Sequence, residues 1–187
     1  SGAHSNGYSL IRRIFDRAWE NGLVIRAFGN GVLGYAPPLC CTADEIDAFC
    51  VLIRKGDEVD EAGLPVRVRQ AEALACVRVG DRIVGVAALK NPQPGYRQGV
   101  FEKAKAALDP AGFAHEIGWA FVEDDQRGRH FSRKLVGALL DELTGSQYAT
   151  SRAGNAAMHG TLRYLGFEAV GRPFPSAKHP DQNLVLF

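Results

Sequence analysis

A mixed α/β fold, with a mainly antiparallel sheet flanked by helices, is what this sequence predicts, and two observations carry the prediction. Apolar residues recur at helical spacing over residues 8–20 and 46–53, and from residue 74 the period changes to two. Strand-like and helix-like stretches then alternate to the last residue. With 187 residues, 46% of them hydrophobic, the chain can bury a core as one domain, or as one domain with a small appendage.

The elements follow in order. Residues 8–20, "YSLIRRIFDRAWE", set Leu10, Ile11, Ile14, Phe15 and Ala18 on one helical face, and Asn21-Gly22 stops that helix. "LVIRAF" and "GVLGYA" flank "GNG" as a hairpin, and Pro37-Pro38 breaks it. A helix is expected next, with Thr42 as N-cap, Glu45 as its capping-box partner, Ile46, Phe49, Cys50 and Ile53 on its apolar face, and Gly56 at its end. The stretch "RKGDEVDEAGLPVRVRQ" reads as a surface connection with room for a short helix. "LACVRV" and "IVGVAAL" form a hairpin around Gly80-Asp81. "NPQPGYRQGVFEKAKAALDPAG" holds three prolines and three glycines around a short helical patch and reads mainly as a long loop, with Lys90, Tyr96 and Arg97 facing a substrate. "HEIGWAFV" is a strand, "HFSRKLVGALLDEL" a helix, "QYATS" a strand, "NAAMHGTLRYLG" a helix and "NLVLF" a final strand.

Charge and cysteine usage narrow the function classes. Lys+Arg of 22 against Asp+Glu of 21 gives +1, so nothing argues for nucleic acid or an anionic membrane as partner, and any anion site must be local. No apolar run reaches the roughly 18 residues of a spanning helix, and the chain reads as soluble and cytoplasmic. Cys40, Cys41, Cys50 and Cys76 lack metal-ligand spacing and read as reduced thiols.

One stretch carries chemistry. In "EDDQRGRHFSRKLVGALL" a glycine stands between arginines immediately before an apolar-periodic helix. A helix start offers free N–H groups and the positive end of the helix dipole; Gly128 allows close approach, and Arg127 and Arg129 add fixed charge. A solvated loop with Ser132 helping to cap a surface helix explains the same residues.

Taken with the strand before it and the helix after it, residues 45–187 resemble a GCN5-related N-acetyltransferase, the GNAT family. "RGRHFS" matches that family's acetyl-CoA signature at Arg127, Gly128 and Arg129, with His130 and Ser132 where glycines are usual and Phe131 between them. His130 could hydrogen-bond a phosphate or narrow the loop. Asn155 precedes Gly166 of "LGF" by eleven residues, the family's spacing (166 − 155 = 11). The resemblance implies that acetyl-CoA is the cosubstrate, with pantetheine against the backbone of Ala120, Phe121 and Val122, phosphates on residues 127–132 and Asn155 nearby. It also implies direct attack by the amine of a small molecule or peptide, without metal or pyridoxal phosphate. Glu116 matches the family's general base, with a structural or substrate-binding carboxylate as the alternative. The family's tyrosine acid falls at Leu162; Tyr164 is two residues late, and the acid role is not carried to it. A non-catalytic acyl-CoA-binding or interaction module is the alternative function.

Residues 8–49, "NGLVIRAFGNGVLGYAPPLCCTADEIDAF" above all, resemble the C-terminal subdomain of class III pyridoxal-phosphate aminotransferases. That implies an αββ appendage over residues 1–44 joined to an acetyltransferase domain over 45–187. The large domain and cofactor lysine of a transaminase are missing, so transaminase activity is not expected. Such a segment could pack on the core or mediate a homodimer.

Overall fold

The computed structural model describes residues 42–80, 82–141 and 145–187; the segment compared with the aminotransferases lies outside them up to residue 41. Its last residues, from Thr42 on, open α1 (Ala43–Lys55), with both capping-box bonds formed: Glu45 N donates to Thr42 Oγ1 at 3.2 Å, and Thr42 N to Glu45 Oε2 at 2.9 Å. Gly56 is the C-cap, as expected, and Leu64–Arg69 forms the short α2.

Among the described residues, six strands make one sheet in the order β1-β2-β3-β4-β6-β5. They are β1 (Ala73–Val79), β2 (Arg82–Lys90), β3 (Phe113–Val122), β4 (Ser146–Arg152), β5 (Val170–Pro175) and β6 (Asn183–Leu186). Only β3 and β4 run parallel; every other neighbouring pair is antiparallel. The intervening helices are α3 (Pro94–Ala104), α4 (Phe131–Leu140) and α5 (Ala156–Tyr164).

Alternating side chains give the sheet two apolar faces. One face, with Ala87, Leu89, Ile117 and Ala149, packs on Leu135, Val136 and Leu139 of α4 and Leu162 of α5. The opposite face is covered in two separate patches. Val86 and Ala88 pack beneath α1 and α2, while Tyr148 and Leu186 pack beneath Val100, Phe101 and Ala104 of α3. Between these patches lies the middle of β3.

Two expectations need correction. Residues 91–112 are not mainly loop, because α3 occupies eleven of them and Pro110–Gly112 is a 3-10 turn. Pro94 stands in α3's first turn, where a missing N–H costs nothing, and the buried Val100, Phe101 and Ala104 anchor its second half. Strand β5 was also not anticipated from the sequence. It sits at the sheet edge, the place where Pro173 and Pro175 can be accommodated.

Gly171, in β5, has φ +69, and a Cβ there would overlap the carbonyl of Ala104 at the end of α3. Gly171→Ala therefore combines a strained backbone with overpacking and should cost about 1 to 3 kcal/mol, lowering Tm by at least about 3 °C. A melt at the wild-type temperature would show that β5 does not press on α3 as described.

Candidate active site

The β3–β4 ladder runs from Phe113↔Ser146 to Ile117↔Ala149 and stops. Beyond it β4 continues beside β6 through Thr150, Ser151 and Arg152, while β3 continues beside β2 to Val122. The two central strands thus part, leaving the edge of β3 from Gly118 onward without a neighbouring strand among the described residues. A bulge accompanies the parting: Val86 faces Phe121 and Ala88 faces Gly118, so Ala87 opposes two residues, Trp119 and Ala120. Trp119 holds φ +52, a left-handed conformation rarely adopted by large side chains.

The open edge leads through Ala120, Phe121 and Val122 to the turn singled out in the sequence. Gly128 has φ +81 and His130 φ +59, and His130 is the N-cap of α4 without a side-chain capping bond. Ser132 therefore does not cap this helix. Among the described residues, the backbone N–H groups of residues 128–133 have no acceptor within the chain, and residues 127–130 are solvent-exposed. Such alternation of backbone handedness points successive N–H groups into one concavity suited to an anion. A Cβ on Gly128 would meet nothing within 4 Å, so glycine is required there for its backbone angle.

The three acids before the turn are each engaged by a cation. Glu123 pairs with Lys55 at 2.5 Å, Asp124 with Arg127 at 2.7 Å and Asp125 with Arg82 at 2.8 Å. The hydrogen bond from Gln126, then that from Arg82, holds the Asp125 carboxyl below its ordinary range. Arg129 has no acidic partner among the described residues. Phe131 is half-buried against the apolar core, which ties the start of α4 to the sheet.

Glu116 is the fourth residue of β3, one residue before the ladder ends, and is 2% exposed. It lies in the gap between the two apolar patches. Thr150 Oγ1 donates to its Oε1 at 3.1 Å. Lys90 Nζ stands 2.7 Å from its Oε2, an ion pair rather than a directed hydrogen bond. Lys90 is the last residue of β2, directly opposite Glu116, and not part of a loop. Tyr96 and Arg97 lie in the first turn of α3, where Arg97 donates to the carbonyls of Phe113 and Ala114. Two phenols sense the carboxylate. The charge of Glu116, then burial, raises the Tyr96 pKa, although about half of that residue is exposed. Burial first, then Glu116, raises Tyr148, whose fully buried hydroxyl lacks a well-formed hydrogen bond.

Other polar and aromatic side chains near these strands and helices divide. His115 faces away from Glu116, with Nδ1 2.9 Å from Asn91 Oδ1. Asn155 is the N-cap of α5, its Oδ1 accepting from Met158 N at 3.1 Å, and Gly166, at φ +90, follows the C-cap. Leu162 is buried, while Tyr164 is exposed beneath the Arg133 guanidinium. Arg152 is already engaged by Glu58 and Gln182, so it offers no free guanidinium for a substrate carboxylate. Burial holds the Glu58 carboxyl above its usual range despite Arg152. The same loop is tied to the β5–β6 turn by Asp57 and Lys178, 2.6 Å apart, and by His179 Nε2 against the Asp57 carbonyl at 2.7 Å. Among the described residues, no group of three or more His, Cys, Asp or Glu could hold a metal, and no helix is long and apolar enough to cross a membrane.

This architecture is that of the GNAT acyltransferases. Similar solved structures include a GNAT-family acetyltransferase from Streptococcus agalactiae (TM-score 0.55, 16% identity, 78% of this chain and 91% of that one). A ribosomal-protein-alanine N-acetyltransferase from Brucella melitensis matches with TM-score 0.55 and 20% identity over 78% of this chain and 94% of its own. NAA60 of Arabidopsis thaliana, in complex with a bisubstrate analogue, matches with TM-score 0.56 and 12% identity over 78% and 92%. No protein-family model and no curated protein matches the chain. At these identities the likeness establishes the fold; it gives the aminotransferase resemblance no support.

Because the charge of Glu116 is the larger cause of the raised Tyr96 pKa, Glu116→Gln should let Tyr96 titrate at lower pH, back toward the ordinary value of about 10. Ring-carbon NMR of labelled tyrosine, assigned with Tyr96→Phe, reads this directly. An unchanged Tyr96 titration would separate the phenol from the carboxylate.

Proposed function

We propose that this chain transfers the acetyl group of acetyl-CoA to the amine of a small molecule or peptide. The observation that carries the reading is the continuity of the unpaired β3 edge with the uncapped, cationic turn at residues 127–132. An extended pantetheine needs a strand edge for its amides, and a pyrophosphate needs N–H donors and positive charge one short segment away. Ala120, Phe121 and Val122 supply the first. Arg127, Gly128, Arg129, His130, Phe131 and Ser132 supply the second. The Nδ2 of Asn155 remains available to the cofactor, since only its Oδ1 is used in capping.

In this reading the thioester lies where the strands part, beside Glu116. The acceptor reaches it as an ammonium ion and gives a proton to Glu116. The neutral nitrogen then attacks the thioester carbonyl, the C–S bond breaks, and the thiolate leaves and is protonated. Backbone N–H groups along the open edge stabilise the developing oxyanion. Leu162 supplies no proton, so the thiolate takes one from solvent or from another group, such as the phenols of Tyr96 and Tyr148 that respond to the Glu116 charge. Protein or peptide acceptors are compatible with the reading, as the similar ribosomal-protein-alanine N-acetyltransferase illustrates. A binding module without turnover is the second reading. It is favoured by one observation, that Lys90 already occupies the proposed base.

Calorimetry with acetyl-CoA tests the site. Gly128→Val should weaken binding strongly. Arg127→Ala should lower affinity about tenfold, the loss of one charge-assisted phosphate contact worth on the order of 1.5 to 3 kcal/mol, reduced by the ion pair Arg127 makes with Asp124. Wild-type affinity in both variants would remove the turn from the cofactor site. Glu116→Gln should lower kcat for any accepted amine, remove the acidic limb of the pH–rate profile and leave acetyl-CoA affinity within a few-fold. Persistence of that limb would make Glu116 a structural carboxylate, and binding without CoA release across an amine panel would favour the second reading.

A further inference from the structure

The group held against Glu116 is itself a primary amine. Lys90 reaches it from the directly opposite position on β2, with Nζ 2.7 Å from Oε2 and 5.5 Å from the centroid of the Trp119 ring. Its side chain crosses β3 at Gly118, the first residue past the end of the β3–β4 ladder. A Cβ there would stand 2.8 Å from Lys90 Cε and 3.0 Å from Nζ. Glycine at 118 therefore lets this amine lie against the β3 backbone at the point where the strands part. Most of the Lys90 side chain is buried, 18% remaining exposed, so the amine is held in place beside Glu116.

We propose that Lys90 is a self-acetylation site, its Nζ taking the acetyl group of acetyl-CoA bound in the cleft. This rests on the acetyl-CoA reading and extends it to a substrate within the chain. The Lys90 ammonium gives one proton to Glu116, the neutral Nζ attacks the thioester carbonyl, an N–C amide bond forms and the C–S bond breaks. The nitrogen's second proton leaves as the tetrahedral adduct collapses, and the CoA thiolate ends as the thiol. No oxidant or further reactant is required. Acetylation removes the positive charge beside Glu116; once Glu116 has passed its proton to solvent, the buried carboxylate is without its counter-ion and open to the ammonium of another acceptor. The modified and unmodified chains thus differ in how they receive an external amine.

The full chain incubated with acetyl-CoA should gain the mass of one acetyl group, and peptide mass spectrometry should place it on Lys90. Held beside a base, Lys90 should react at least about tenfold faster than the exposed Lys103 and Lys105, which report chemical acetylation. The rate constant should not depend on protein concentration. Glu116→Gln, with its fold checked by circular dichroism, should reduce acetylation of Lys90 to the level of the exposed lysines. Calorimetry in the same buffer separates the failures. Acetyl-CoA binding with Lys90 acetylated no faster than Lys103 overturns self-acetylation alone. A lack of acetyl-CoA binding overturns it together with the reading on which it rests.

Discussion

Two strands that run side by side as far as Ile117 and Ala149 take different neighbours beyond that pair, and the layout of the molecule follows from their parting. A parallel pair in the middle of a sheet ordinarily has both edges satisfied, and an unpaired buried edge is costly because its N–H and C=O groups have lost water. Here the edge is kept open by the bulge at Trp119, which turns β3 toward β2, and by β6, which holds β4 on its far side. The same parting divides the packing on one face. With α1 and α2 over one side and α3 over the other, neither patch covers the middle of β3. An open edge and a gap in the roof are thus consequences of one change in strand pairing, and the uncapped start of α4 follows that edge along the chain.

The chemistry in that gap is governed by desolvation. A carboxylate as enclosed as Glu116 loses much of its hydration, and Lys90 and Thr150 replace part of it. Such a pair is poor evidence for stability, because two apolar residues could fill the space at similar or lower free energy; its presence is better explained by what the groups do. The surrounding polar side chains repeat the pattern at lower cost. The acids near the turn, and Asp57, Glu58 and Arg152 at the far end of β4, are engaged within the chain, and surface pairs of this kind contribute at most about 1 kcal/mol each. Their effect is positional. They cancel the negative charge leading into the phosphate-side turn and tie the loop after α1 to the β5–β6 turn.

Much of this was legible from local sequence because local physics decides it. Thr42 and Glu45 announce a capping box, and the eleven residues from Asn155 to Gly166 are the distance from the N-cap of α5 to the left-handed residue after its end. Glu116 and the 127–132 turn lie in a strand and a helix start that periodicity alone marks out. What was missed depends on tertiary context. Helix α3 has glycines at 95 and 99 and buries residues only in its second half, so its pattern resembles a loop until the sheet beneath it is known. Strand β5 contains Pro173 and Pro175 and is tolerable only as an edge. The left-handed conformation of Trp119 has no sequence signal, and without it neither the register that sets Lys90 opposite Glu116 nor the opening of the cleft can be derived. The side-chain bond from Thr150 to Glu116 likewise crosses from β4 to β3 near the place where they separate.

Amide chemical shifts on titration with acetyl-CoA test most directly whether the parted strands and the bare turn form one binding surface. The largest changes are expected along Gly118 to Val122 and Gly128 to Arg133, in a single saturable event, with β1 and the β5–β6 turn little affected. Shifts confined to the 128–133 turn, or spread over α3 while the β3 edge stays unperturbed, would contradict the cleft as the place where the cofactor lies.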